Sequence, residues 1–217
     1  FVKAVDEDDD PVDLTGKITV SVEDDNPELD TEGTTLYVQE DALGNTTTDL
    51  ENDPDGDNSK GNLENAGDTD TDSVDLDGLV KEGADDPVTF TLDATSAPTL
   101  TSGGDTVTYL VSNGGKTLTA SANDGSGART VFEIDIDSNN VLSFDLDDQL
   151  DHPDDSPTND DEQTLTFDIG QFVKAVDEDD DPVDLTGKIT VSVEDDNPEL
   201  DTEGTTLYVQ EDALGNT

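Results

Sequence analysis

The sequence predicts an all-β chain, folded as an antiparallel β-sandwich of Ig-like or Greek-key type with very little helix. Three observations lead there. Apolar residues alternate with polar ones along most of the chain, the period of a half-buried strand. Glycine, asparagine and aspartate cluster between the alternating runs, where tight turns need them. No stretch carries a convincing 3.6-residue apolar period. In chain order the runs begin with Ile18 to Val22, then the shorter Leu36 to Gln39, Val74 to Val80 and Val88 to Leu92. Val107, Tyr109 and Val111 share one face, and Leu118, Ala120 and Ala122 share the next. Phe132, Ile134 and Ile136 alternate with Glu133 and Asp135. Leu142, Phe144 and Leu146 follow, then Leu165, Phe167 and Ile169. Ser112-Asn113-Gly114-Gly115 reads as a hairpin turn, and Asp124 to Gly127 and Asp137 to Asn140 do the same work. Roughly nine strands with short turns make a sandwich.

Residues 1–46 recur unchanged at 172–217, a period of 171 residues. Solenoid repeats run about 20–50 residues, so this period is a whole domain in tandem. The boundary is placed after Val22-Glu23-Asp24-Asp25-Asn26-Pro27, which recurs at Val193 to Pro198, because proline stiffens the exit from a strand. Residues 1–27 then close a preceding repeat, 28–198 form the central unit, and 199–217 open the next.

The net charge is −50, from 58 acidic and 8 basic side chains. So few cations exclude a phosphate-binding face, and no nucleic-acid partner or direct membrane contact is expected. Leu, Ile, Val and Phe make up about 23% of the chain, just above the roughly 20% below which highly charged chains stay disordered. There is no Cys, and the single His is His152, so the usual nucleophilic triads and thiolate sites are absent. His152, in Leu150-Asp151-His152-Pro153, reads as structural or exposed and as a weak metal candidate. No enzyme and no small-molecule substrate is expected. Aspartate outnumbers glutamate by 43 to 15, a bias toward turns and calcium loops rather than helices.

Calcium takes six to eight oxygens, and alternate carboxylates on a short loop supply them. Asp53-Pro54-Asp55-Gly56-Asp57, with Glu64 further on, has this spacing, although Asn58 stands where an EF-hand needs glycine. Asp68, Asp70 and Asp72, then Asp75 and Asp77, repeat the theme. The long acidic segment from Asp41 to Asp72 reads as a loop that needs something bound to fold; the plain alternative is a solvated acidic loop. Asp6, Asp8 and Asp10, with their copies Asp177, Asp179 and Asp181, sit between two strand patterns, where divalent ions would offset the repulsion of adjacent carboxylates. Asp24 and Asp25, and their copies Asp195 and Asp196, end a strand at the repeat boundary and can offer ligands to an ion shared with the next unit. Glu40 and Asp41 follow the unit's first strand and can reach the same pole. The alternative at the boundary is an acidic linker stiffened by proline alone.

Leu100 to Gly104, Leu118-Thr119-Ala120, Arg129 to Phe132, Leu150 to Pro153, Val22 to Pro27 and Gln39 to Leu43 together resemble the long tandem repeat of type I-secreted RTX adhesins and agglutinins. The acidic run Asp6 to Asp10 departs from the Gly-containing turn common there. The resemblance implies an extracellular module on a Gram-negative cell surface, a monomeric extender stiffened by Ca2+ and partnered by neighbouring repeats. Such a stalk holds a distal ligand-binding domain out for adhesion and biofilm formation. A calcium-dependent carbohydrate- or surface-binding module is the alternative, disfavoured because three Tyr and six Phe fall mostly at core-facing positions.

Overall fold

The structure, a computed structural model, describes residues 4–30, 33–44, 69–81, 83–84, 87–153 and 163–196. Among these, eleven strands are three residues or longer. They are β1 (Thr34–Gln39), β2 (Thr71–Asp75), β3 (Thr89–Leu92), β4 (Thr108–Ser112), β5 (Thr117–Asn123) and β6 (Ala128–Ile136). They continue with β7 (Val141–Leu146), β8 (Thr164–Asp168), β9 (Val173–Val176), β10 (Pro182–Asp184) and β11 (Ile189–Glu194). The only helical elements among the described residues are three 3-10 turns: Glu40–Ala42, Asp77–Leu79 and Gly170–Phe172. The chain is all-β, as its alternation requires.

The five-stranded sheet runs β4-β5-β6-β7-β2 with every pair antiparallel. Its hairpins close at the turns the sequence marks. Asn113, Gly114 and Gly115 all have positive φ, and the Gly115 N–H donates to the Ser112 carbonyl at 2.9 Å. Two three-stranded sheets, β8-β11-β1 and β10-β9-β3, complete the main architecture. Phe132 of β6 and Phe144 of β7 meet Phe167 of β8 across the layers, with ring centroids 5.8 and 6.1 Å apart. One contiguous core joins all three sheets.

One pairing departs from the antiparallel expectation. β11 lies parallel to β1, with Ile189 opposite Thr34 and Glu194 opposite Gln39. Parallel neighbours need a long connection, and these strands come from opposite ends of the unit, so the whole sandwich is that connection.

The duplicated segment separates local from tertiary causes. The hairpin of β9 and β10 pairs Ala175 with Val183 and Val176 with Pro182; the first copy pairs Ala4 with Val12 and Val5 with Pro11. The hairpin is therefore written in its local sequence. The strand after it is not. Ile189, Val191 and Val193 are fully buried in β11, whereas the identical Ile18, Val20 and Val22 are 58%, 85% and 87% exposed and form no strand. Alternation permits a strand, but a paired sheet and a core make one. Val191→Ala is therefore expected to cost about 2 kcal/mol, and Val20→Ala close to nothing. Urea unfolding of the two variants checks this; equal losses would refute it.

Candidate metal centre

The β1–β11 register builds the first acidic cluster. Glu194 stands opposite Gln39, so the next residues, Asp195 and Glu40, leave the sheet at the same end. The loop carrying Leu150 and His152 closes over them. Glu40 is buried, and its Oε1 accepts the Leu150 N–H at 2.7 Å. The His152 side chain is buried too, with Nδ1 3.7 Å from Glu40 Oε1 and 3.5 Å from Asp195 Oδ1. Its ring nitrogens also face backbone oxygens: Nδ1 that of Leu150 at 3.0 Å, Nε2 that of Val193 at 3.2 Å. His152 thus ties the end of β11 to this loop, and one ligand atom each from Glu40, His152 and Asp195 lie within 4.8 Å of one another, a group that could hold a metal ion.

Burial pushes the Glu40 carboxyl up to about 8, the Leu150 N–H opposes this, and the charges of Asp195, Asp196 and Asp148 add to the rise. Burial also raises Asp195, with His152 pulling the other way. Asp196 Oδ1 is buried without a hydrogen-bond partner.

The second cluster spans the repeat boundary. The turn between β9 and β10 is held by Asp177, whose Oδ1 accepts the Asp181 N–H at 2.7 Å, while Asp180 takes φ +73°. The first copy makes the same turn: Asp6 Oδ1 accepts the Asp10 N–H at 2.9 Å and the Asp8 N–H at 3.1 Å, and Asp9 has φ +66°. The surroundings differ. Asp6, Asp8 and Asp10 are exposed, whereas Asp177 is 4% exposed. Carboxylate oxygens of Asp24, Asp179 and Asp181 lie within 4.8 Å of one another. A side-chain hydrogen bond with Asp177, then desolvation and the charges of Asp177, Asp24 and Asp181, pushes Asp179 up to about 6. Next to Asp24, Asp25 Oδ2 accepts the Ala84 N–H at 2.9 Å. Gly83 makes this approach possible: it has φ +79°, and a Cβ there would meet Asp25 Oδ2 at 3.1 Å.

The remaining sequence candidates are spread out. Asp72 Oδ2 accepts the Tyr37 N–H at 3.0 Å, and Asp75 Oδ1 the Asp77 N–H at 3.1 Å. Asp77 Oδ1 accepts from Asn140 Nδ2 at 2.9 Å. These carboxylates serve strand and turn contacts, and Asp70 contributes its carbonyl to the Leu146 N–H at 3.0 Å. Asp41 is buried in the 3-10 turn after β1. Asp53, Asp55, Asp57, Glu64 and Asp68 lie outside the described residues. Sequence reading missed the buried pair Asp148–Arg129, with Oδ2 3.0 Å from Nε; Asp148 hides in the acidic run Asp145 to Asp148, where only the fold tells it from its neighbours.

Comparison with family models, with curated proteins and with solved structures finds no match to this chain.

Proposed function

We propose that this chain is a structural extender of a bacterial surface adhesin, a spacer repeated in tandem and stiffened by Ca2+. Its work is to hold a distal ligand-binding domain away from a Gram-negative cell for adhesion and biofilm formation. The observation that carries the reading is the boundary contact. The end of one repeat is fixed on the body of the next, through Asp25 on the Ala84 N–H and through Asp24 beside Asp179 and Asp181. Pro27, two residues after Asp25, is buried. The short pairing of Glu28–Leu29 with Val80–Lys81 and the Lys81–Asp30 ion pair at 2.9 Å anchor the chain just beyond. A domain whose entry is fastened in this way transmits direction along an array, which a flexible linker does not. Unchanged repetition also suits a spacer, since each copy needs only its neighbour as partner.

Calcium titration after dialysis against chelator tests the reading. Each site at ten times its dissociation constant adds about 1.4 kcal/mol, or a rise of about 3–5 °C in melting temperature. Circular dichroism should keep its β signature, and small-angle scattering should give a fixed elongated shape with calcium. A melting curve and scattering profile indifferent to calcium would refute the stiffened-extender reading.

A further inference from the structure

We infer that β4 is an open sheet edge through which one copy of this chain joins a second, antiparallel across a two-fold axis at Leu110. The inference does not depend on the calcium reading. The three main sheets have six edge strands, and five of them are guarded. β2 carries Asp72 and Asp75, β8 carries Asp168, and β10 carries Pro182 and Asp184. The edge of β1 is met by Asp72, whose Oδ2 accepts the Tyr37 N–H, and by Thr69, whose carbonyl accepts the Gln39 N–H at 2.9 Å. β3 is met by the Gly115 carbonyl, which accepts the Leu92 N–H at 2.7 Å, and by Lys116, which donates to the Phe90 carbonyl at 2.8 Å. Charges, proline and covering segments are what keep a sheet edge from pairing. β4, Thr108-Tyr109-Leu110-Val111-Ser112, has no charge and no proline, and its pairing with β5 is regular along all five residues. Its other side pairs with no described strand. The Val107 N–H, just before the strand, donates to the Leu100 carbonyl at 3.0 Å. By the two-residue period, Tyr109 and Val111 turn their backbone groups to that same side. The loop beyond Leu100 reaches Tyr109 through its hydroxyl, which donates to the Pro98 carbonyl at 2.9 Å. Leu110 is 68% exposed.

Charge names the partner. Residues 106–123, which hold β4, its turn and β5, contain no Asp or Glu, the longest such run in a chain with 58 acids, and Lys116 is their one charged residue. A cationic partner would be drawn to the acidic surface elsewhere. An acid-free edge singles out a partner as acidic as the chain itself, because two bodies of charge −50 approach best where neither carries a carboxylate. The strand is also complementary to itself. Antiparallel pairing about Leu110 sets Tyr109 opposite Val111, an aromatic against a β-branched residue, and Thr108 opposite Ser112, both favourable cross-strand pairs. Two five-stranded sheets then become one continuous sheet. Five residues a side make a weak contact, so a dilute chain stays a monomer. A tandem array offers the edge once in every 171 residues, and linked weak contacts reinforce one another. Arrays side by side are thereby bundled.

Sedimentation equilibrium of the whole chain over a range of concentrations tests this, at about 1 M salt, where charge repulsion is screened beyond about 3 Å. The parent is expected to pass from monomer to dimer as concentration rises. Leu110→Glu sets two carboxylates against each other at the axis and should leave only monomer, with an unchanged melting temperature because the side chain is exposed. The chain has no cysteine, so Leu110→Cys reports the register. Across the axis position 110 faces itself in a non-hydrogen-bonded pair, with Cα atoms about 4.5 Å apart, within reach of a disulfide. With oxidised glutathione, Leu110→Cys should form a covalent dimer about tenfold or more faster than Ser73→Cys on the acidic edge of β2. A parent that stays monomeric at every concentration would overturn the inference and leave the edge to a different partner. A dimer that Leu110→Glu does not dissolve, or equal oxidation at the two positions, would overturn β4 as the contact.

Discussion

Glu40→Gln is expected to flatten the pH dependence of stability between about pH 5 and 8, in chelator, and to stabilise the protein at the upper end. The ordinary carboxyl value is 4.5, and in the fold Glu40 is pushed up to about 8. Between those values the unfolded chain has lost this proton and the folded chain still holds it. Stability therefore falls as pH rises through the window and levels off above about 8. The span corresponds to about 4 kcal/mol, or roughly 10 °C in melting temperature for a domain of this size. The physical cause is burial of Glu40 under the Leu150–His152 loop, reinforced by Asp195, Asp196 and Asp148. Glutamine keeps an oxygen for the Leu150 N–H and cannot ionise. At pH 5 the variant should match the parent; at pH 8 it should melt higher. Some slope should persist, because Asp195 is raised as well and acts in the same direction. Parallel melting-versus-pH curves for the two proteins would show that Glu40 does not carry this proton.

Glu40 also shows how far the sequence could be read. Its place after a strand, at the same pole as a boundary cluster, follows from alternation and from the repeat. That its neighbour is Asp195 depends on the parallel β1–β11 register, and no local pattern encodes the partner of a strand 155 residues away. The same limit explains Ile18 to Val22, whose alternation is as good as that of β11 but which pairs with no strand among the described residues. Hairpins were legible because their determinants lie within a few residues: Asn113-Gly114-Gly115 and both copies of the Asp177 turn adopt the positive φ that tight turns demand. Regular Asp spacing was a weaker guide. Asp72, Asp75 and Asp77 have ligand-like spacing, yet their oxygens are used by backbone and side-chain donors nearby. Asp24 joins Asp179 and Asp181 across 155 and 157 residues, a relation that only the docked repeat boundary creates. His152, alone among acids, gave no sign that its ring would meet backbone carbonyls from two segments.

Phe132→Ala should produce the largest loss of stability among single core truncations, about 3–5 kcal/mol. Phe132 is fully buried in the middle of β6. Its ring lies 4.9 Å from Phe144, 5.8 Å from Phe167 and 6.2 Å from Tyr109. It thus touches both packed sheets at once, and truncation removes dispersion contacts on every side while the two layers cannot close the gap. A loss of this size is a large share of the roughly 5–15 kcal/mol that holds a domain together. It bears harder here because a charge of −50 opposes compaction, most of all where little salt screens it. Phe132→Leu keeps most of the volume and should cost roughly half as much or less. The mechanism makes a further demand. Phe132 and Phe167 contact each other across the layers, so the double variant Phe132→Ala/Phe167→Ala should fall short of the sum of the single losses by about 0.5–1.5 kcal/mol. Denaturant unfolding at fixed salt measures the parent and the four variants. A Phe132→Ala loss below about 1 kcal/mol, or strict additivity with Phe167→Ala, would mean that the two sheets do not meet through these rings.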